Sequence, residues 1–112
     1  MSEMLSQRQA ALKLGVTPSR IKQLWAEHVL LKVMIDRQPH VPADCIAKGP
    51  NGWVPLESVR GTMTMLLDAG FSAEEATDWM LSEQDGLESP PLELLAKNRV
   101  REVRNAILPL AF

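Results

Sequence analysis

The sequence predicts a mainly α fold: two short helices joined by a tight turn, a small two-stranded wing, and a C-terminal cluster of three or four helices packed against them. Three observations carry this prediction. Residues 6–23, SQRQAALKLGVTPSRIKQ, hold two helix-start signals separated by a glycine. Residues 30–42 hold two short apolar runs around the polar Asp36-Arg37-Gln38-Pro39. From Gly61 onward, apolar residues recur at helical spacing in one segment after another.

In the first helix, Ser6 and Gln9 have the spacing of a reciprocal capping box. Leu5 stands at the staple position facing Ala10, and Ala10, Ala11 and Leu14 share a face. Gly15 is the residue type that most easily takes the left-handed conformation ending a helix. Thr17 caps the second helix and Pro18 occupies its first turn. Ile21, Leu24 and His28 share its inner face, with Trp25 beside them, while Ser19, Arg20, Lys22 and Gln23 point elsewhere. That polar face matches major-groove chemistry: Arg forks to guanine, Gln pairs with adenine, and Ser or Thr reaches a base or a phosphate. On these residues alone, a helical hairpin with a solvated polar face fits equally well.

Leu30 to Ile35 reads as an apolar run, Asp36 to Pro39 as a turn, and His40-Val41 as a return strand before Pro42-Ala43-Asp44 opens a helical turn. With this order the chain resembles winged helix-turn-helix proteins of the MerR and excisionase type. The likeness covers about residues 4–46 and rests on Ser6, Ala10, Ala11, Leu14, Gly15, Val16, Thr17, Pro18, Arg20, Ile21, Leu24, Leu30, Leu31, Val41 and Pro42. It implies double-stranded DNA as partner, with Thr17, Ser19, Arg20, Lys22 and Gln23 in the major groove. Arg37, Gln38 and His40 would approach the adjacent backbone from the wing, and Arg8 and Lys13 would steer from the first helix. The wing departs from the pattern in carrying a single cation, Arg37.

Ala47 to Gly52 is dense in turn formers and reads as a loop between residues 1–47 and 48–112. The second half is marginal as an independent core, so the two halves are expected to share one. Trp53, Val54 and Leu56 are expected to dock onto it. Gly61-Thr62 reads as a helix start with Thr62 as cap, Met63, Leu66 and Leu67 inward, and a stop at Asp68-Ala69-Gly70. Ser72 and Glu75 form a second capping box, followed by Ala76, Trp79 and Met80 on the inner face. Ser89-Pro90-Pro91 starts another helix with Leu92 and Leu95 inward, and Asn98 either caps a last helix or kinks a continuous one. Val100, Val103 and Ile107 face in; Lys97, Arg101 and Arg104 form an opposite basic face, either a phosphate contact or a solvated surface. Leu110-Ala111-Phe112 is expected to pack on the core or into a partner.

GTMTMLLDAGFSAEEATDWML and PLELLAKNRVREVRNAILPLAF are similar to the C-terminal region of a small actinobacterial family of winged helix-turn-helix DNA-binding proteins. Gly61, Thr62, Thr64, Asp68, Gly70, Phe71, Glu74, Glu75, Ala76, Trp79, Pro91, Leu92, Leu95 and Leu110 to Phe112 carry that likeness. It implies a DNA-binding protein, here read as a transcriptional regulator or an excisionase-like recombination accessory factor. More loosely, Trp79, Pro91 to Leu95 and the final helix are similar to the toxin-binding domain of Xre-type antitoxins. That likeness implies a protein-interaction module, with a homodimer or a protein partner held through the C-terminal helices.

The net charge of −2 divides unevenly: residues 1–40 hold six cations against three acids, and residues 41–112 hold six against eleven. Phosphate binding therefore belongs to the first part, and the acidic remainder is expected to face away from DNA. No apolar run is long enough for a membrane span, and MSEMLSQRQ lacks a signal-peptide plan, so a cytoplasmic protein is expected. Cys45 reads as a small buried hydrophobe, the alternative being a catalytic pair with His40. His28 and His40 lack a third ligand beyond Asp44 or Cys45, no nucleotide or metal motif occurs, and Met63, Met65 and Met80 read as core filler. No enzyme, metal or cofactor is expected.

Overall fold

The computed structural model describes residues 3–111. The first half comprises β1 (Met4–Ser6), α1 (Gln7–Leu14), α2 (Pro18–Ala26), β2 (Val33–Ile35) and β3 (Gln38–Pro42), then a 3-10 turn at Ala43–Cys45. A hairpin of β4 (Ile46–Gly49) and β5 (Gly52–Pro55) leads to α3 (Glu57–Asp68), α4 (Ala73–Leu81), α5 (Pro91–Ala96) and α6 (Val100–Ile107).

This architecture corrects the expected mainly α winged helix-turn-helix with a two-stranded wing. Helical turns occupy 54% of the described residues and strands 17%, an α/β composition with two separate antiparallel sheets. The larger sheet has three strands in the order β1-β3-β2. Its extra strand comes from Met4–Ser6, which pairs Leu5 with Val41 and Ser6 with His40. Leu5 is therefore a buried strand residue that also holds the position just before the Ser6 cap, in one buried cluster with Ala10. The second sheet arises where a loop was expected. Lys48 pairs with Trp53 and Gly49 with Gly52, so Pro50-Asn51 is a hairpin tip and the turn formers flank strands.

Local capping follows the sequence closely. The Ser6 hydroxyl accepts from the Gln9 amide at 3.1 Å, and Gln9 Oε1 accepts from the Ser6 amide at 2.8 Å. Gly15 ends α1 at φ 70°, and the Val16 amide reaches back to the Ala11 carbonyl, the Schellman arrangement. Thr17 Oγ1 accepts from the Arg20 amide, with Pro18 at the first position of α2. Ser72 and Glu75 repeat the box on α4. The Ser72 amide, then the Ser72 hydroxyl, hold the Glu75 carboxyl below its ordinary pKa. This contribution is present above the unfolded carboxylate's pKa and is lost as pH falls through the lower folded one. A series of urea midpoints between neutral and acid pH is expected to show a flatter acid limb in Glu75→Gln than in the parent.

Several elements differ from expectation because packing overrides a local signal. α3 begins at Glu57, so Thr62 is no cap; it is buried in mid-helix and its hydroxyl donates to the Ser58 carbonyl. His28 leaves the inner face of α2 and ends the helix at φ 60°, with the Val29 amide bonded to the Leu24 carbonyl. Asn98, at φ 63°, closes α5 in the same way and separates it from α6. Leu30 and Leu31 are buried before β2 begins, and the Leu31 carbonyl accepts from Trp25 Nε1 at 3.1 Å. Trp53 and Val54 are exposed; of that trio only Leu56 packs against the core. Leu110 is also exposed, whereas Phe112 lies outside the described residues.

The buried side chains form one cluster drawn from both halves. Leu5, Ile21, Leu31 and Val41 join Val59, Leu66, Met80, Leu92, Leu95 and Ile107. Cys45 sits among them, and burial pushes its thiol up to about 12. Burial among apolar side chains makes it a small filler of the core. No helix among the described residues is long and apolar enough to cross a membrane.

Candidate nucleic-acid interface

The turn between α1 and α2 is fixed from three sides. Gly15 supplies the left-handed residue, Thr17 caps α2, and Gln7 Nε2 donates to the Pro18 carbonyl at 2.8 Å. Ile21, Leu24 and Trp25 are buried, which rotates Ser19, Arg20, Lys22 and Gln23 outward into solvent. Arg20 does not extend freely: Nη1 donates to Gln23 Oε1 at 2.8 Å and lies 3.9 Å from Glu27 Oε2. Thr17 is exposed, but its hydroxyl oxygen is already accepting a backbone proton.

β2 and β3 meet at Ile35 and Gln38, leaving Asp36-Arg37 as a two-residue turn. Both have positive φ, 51° and 66°, the type I′ geometry that usually selects glycine at its second position. Arg37 thus holds an exposed cation at a hairpin tip in a backbone conformation unfavourable to its own side chain. Gln38 is exposed beside it, and His40 Nδ1 lies 2.8 Å from the Gln38 carbonyl, leaving Nε2 as the ring's second polar atom.

The hairpin and the start of both helices enclose an open cleft of about 490 Å³ that brings Arg8, Gln38 and His40 together, with Pro18 and Asp36. Lys13 does not join them: its Nζ stacks over the Trp53 ring, 4.2 Å from the centroid. That cation–π contact ties α1 to the second hairpin. The distant basic face also divides. Lys97, Arg101 and Arg104 are all exposed, and Arg104 lines a separate cleft with Arg60, a residue the sequence did not single out. Gln7 was passed over too, and Trp53 was expected on the core rather than under Lys13. Gln7 is a side chain at a helix start and gave no signal of the long-range bond it makes. Among the described residues, no group of three or more His, Cys, Asp or Glu is placed to hold a metal ion.

The fold is that of a small α/β protein in which a helix pair and a three-stranded sheet share a core with four C-terminal helices. Residues 56–107 match a family described as the Rv2175c C-terminal domain of unknown function. Among solved structures, the chain is similar to one titled "NMR structure of Rv2175c", with a TM-score of 0.73 and 23% identity over 96% of this chain and 81% of that one. At that identity the likeness speaks to the fold. No curated protein matches.

Proposed function

We propose that this chain binds double-stranded DNA sequence-specifically, with α2 in the major groove, and acts in the cytoplasm as a transcriptional regulator. The observation that carries the reading is the division of α2. Its apolar side locks it to the core, and Ser19, Arg20, Lys22 and Gln23 are left on the open side of a firmly capped helix. These are side chains able to read base edges and hold phosphates. Arg37 at the hairpin tip is the second support, because a cation kept where glycine fits better suggests selection for its charge. The resemblance of both halves to the actinobacterial DNA-binding family points the same way. The C-terminal half supplies an acidic remainder suited to face away from the duplex. Exposed Leu108 and Leu110 favour one alternative, a protein-interaction module of antitoxin type that uses the C-terminal helices.

A titration against random duplex DNA at several salt concentrations tests the reading. A footprint of about three to five phosphates gives a slope of log K against log salt of roughly −3 to −4.5. A slope near zero, or no association at low salt, contradicts it. Arg37→Gly separates the hairpin's two demands. The variant is expected to gain about 0.4–1 kcal/mol in stability by urea titration, since glycine accepts the turn's backbone. Its DNA affinity is expected to fall equally on all sequences, with a salt slope shallower by about 1.

A further inference from the structure

We infer that the cleft between α3 and α6 is an anion site that takes a phosphate group. The cleft is open, about 820 Å³, and lies outside the α1–α2 surface. Arg60 from α3 and Arg104 from α6 both line it, and neither has a carboxylate partner among the described residues. The contrast with Arg99 is direct: that side chain is engaged by Glu88 and Glu102. Two guanidiniums without carboxylate partners make the cleft positive, and an oxyanion is the group onto which a guanidinium forks.

Three further features converge there. Gly61 lies inside α3, where glycine is unfavourable, and a Cβ at that position would stand 2.8 Å from Arg104 Nη2. Its missing side chain is what lets the guanidinium lie against α3. The first turns of α3 and α6 both border the cleft; neither helix has a side-chain cap hydrogen bond, and each carries one acid in that turn, Glu57 and Glu102. Ser58 also borders the cleft, and its buried Oγ has no hydrogen-bond partner among the described residues. Glu57 is the one acid among the lining residues, and it leaves the balance positive.

The site does not depend on the DNA reading of α2. Its phosphate can come from a soluble phosphate compound or from a duplex backbone, and one experiment separates the two. The ¹⁵N-labelled full chain is titrated with pyrophosphate at ionic strength held constant with sodium chloride. Saturable shifts are expected in the amides of residues 57–61 and 100–104. Arg60→Gln/Arg104→Gln is expected to weaken them at least tenfold, whereas Arg101→Gln changes them less than twofold. Gly61→Ala, which only displaces the Arg104 guanidinium, is expected to weaken them as well. It keeps the test decisive if the double variant does not fold. In a second titration with a short duplex, movement of the same amides, with a salt slope shallower by about 2 in the double variant, assigns the phosphate to DNA. Shifts with pyrophosphate alone assign it to a soluble compound. Absence of saturable shifts with pyrophosphate, or shifts undiminished in both the double variant and Gly61→Ala, overturns the site.

Discussion

Leu95→Ala is expected to lower the free energy of unfolding by about 2–5 kcal/mol in a urea titration. Leu95 lies in α5, a helix of only six residues that buries Leu92, Leu94 and Leu95 together. So short a helix has little stability of its own, and its hydrogen bonds persist because those leucines are held. α5 packs on α3, α4 and α6, and also on the 3-10 turn at Ala43–Cys45 from the first half of the chain. A cavity there loosens both halves at once. Against a total of about 5–15 kcal/mol for a domain, the loss is large. The transition should remain single, with Trp25 in the first half and Trp79 in the second reporting the same midpoint. Leu12→Ala, at a side chain 75% exposed, should change stability by no more than about 0.5 kcal/mol. A Leu95→Ala loss below about 1 kcal/mol, or two separate transitions, would contradict a shared core.

Arg20→Ala is expected to weaken binding to a selected target duplex by about 1–3 kcal/mol and to relax base preference at one position. In the free protein the guanidinium is held along α2 by Gln23 and lies near Glu27. A fork onto guanine takes two of the guanidinium's five N–H donors, so the bond to Gln23 can persist and orient the fork. Gln23→Ala should therefore have two effects: loss of its own contact and a freer Arg20. The pair should be non-additive in a double-mutant cycle. Competition binding against single-base variants of the target checks both. Equal loss on target and random DNA would make Arg20 a phosphate contact instead.

What the sequence reveals about this fold is what neighbouring residues decide. Ser6 with Gln9, Thr17 with Pro18, Gly15, and Ser72 with Glu75 act within one helical turn, and the structure uses each as its residue type suggests. The failures are long-range. Met4–Ser6 becomes a strand only because β3 lies alongside, far away in the chain. Thr62 looks like a cap because Gly61 precedes it. The helix nevertheless runs through both, since Val59, Met63 and Leu66 bury one continuous face. Pro50-Asn51 is legible as a turn, but the strands beside it depend on Lys48 meeting Trp53. The outward face of α2 is legible because its period follows from Ile21, Leu24 and Trp25. The pairing of Arg60 with Arg104 is not, because only the packing of α3 on α6 brings them to one cleft.

The proposed DNA binding depends on the open face of α2. Fluorescence anisotropy of a labelled pool of random duplex DNA, at two salt concentrations, tests it most directly when the parent chain is compared with Arg20→Ala/Lys22→Ala. Binding by the parent is expected to weaken steeply with salt, and the variant is expected to show a marked loss at low salt. Equal binding by the two proteins, or none by the parent at tens of micromolar, would contradict it and move attention to a protein partner of the C-terminal helices.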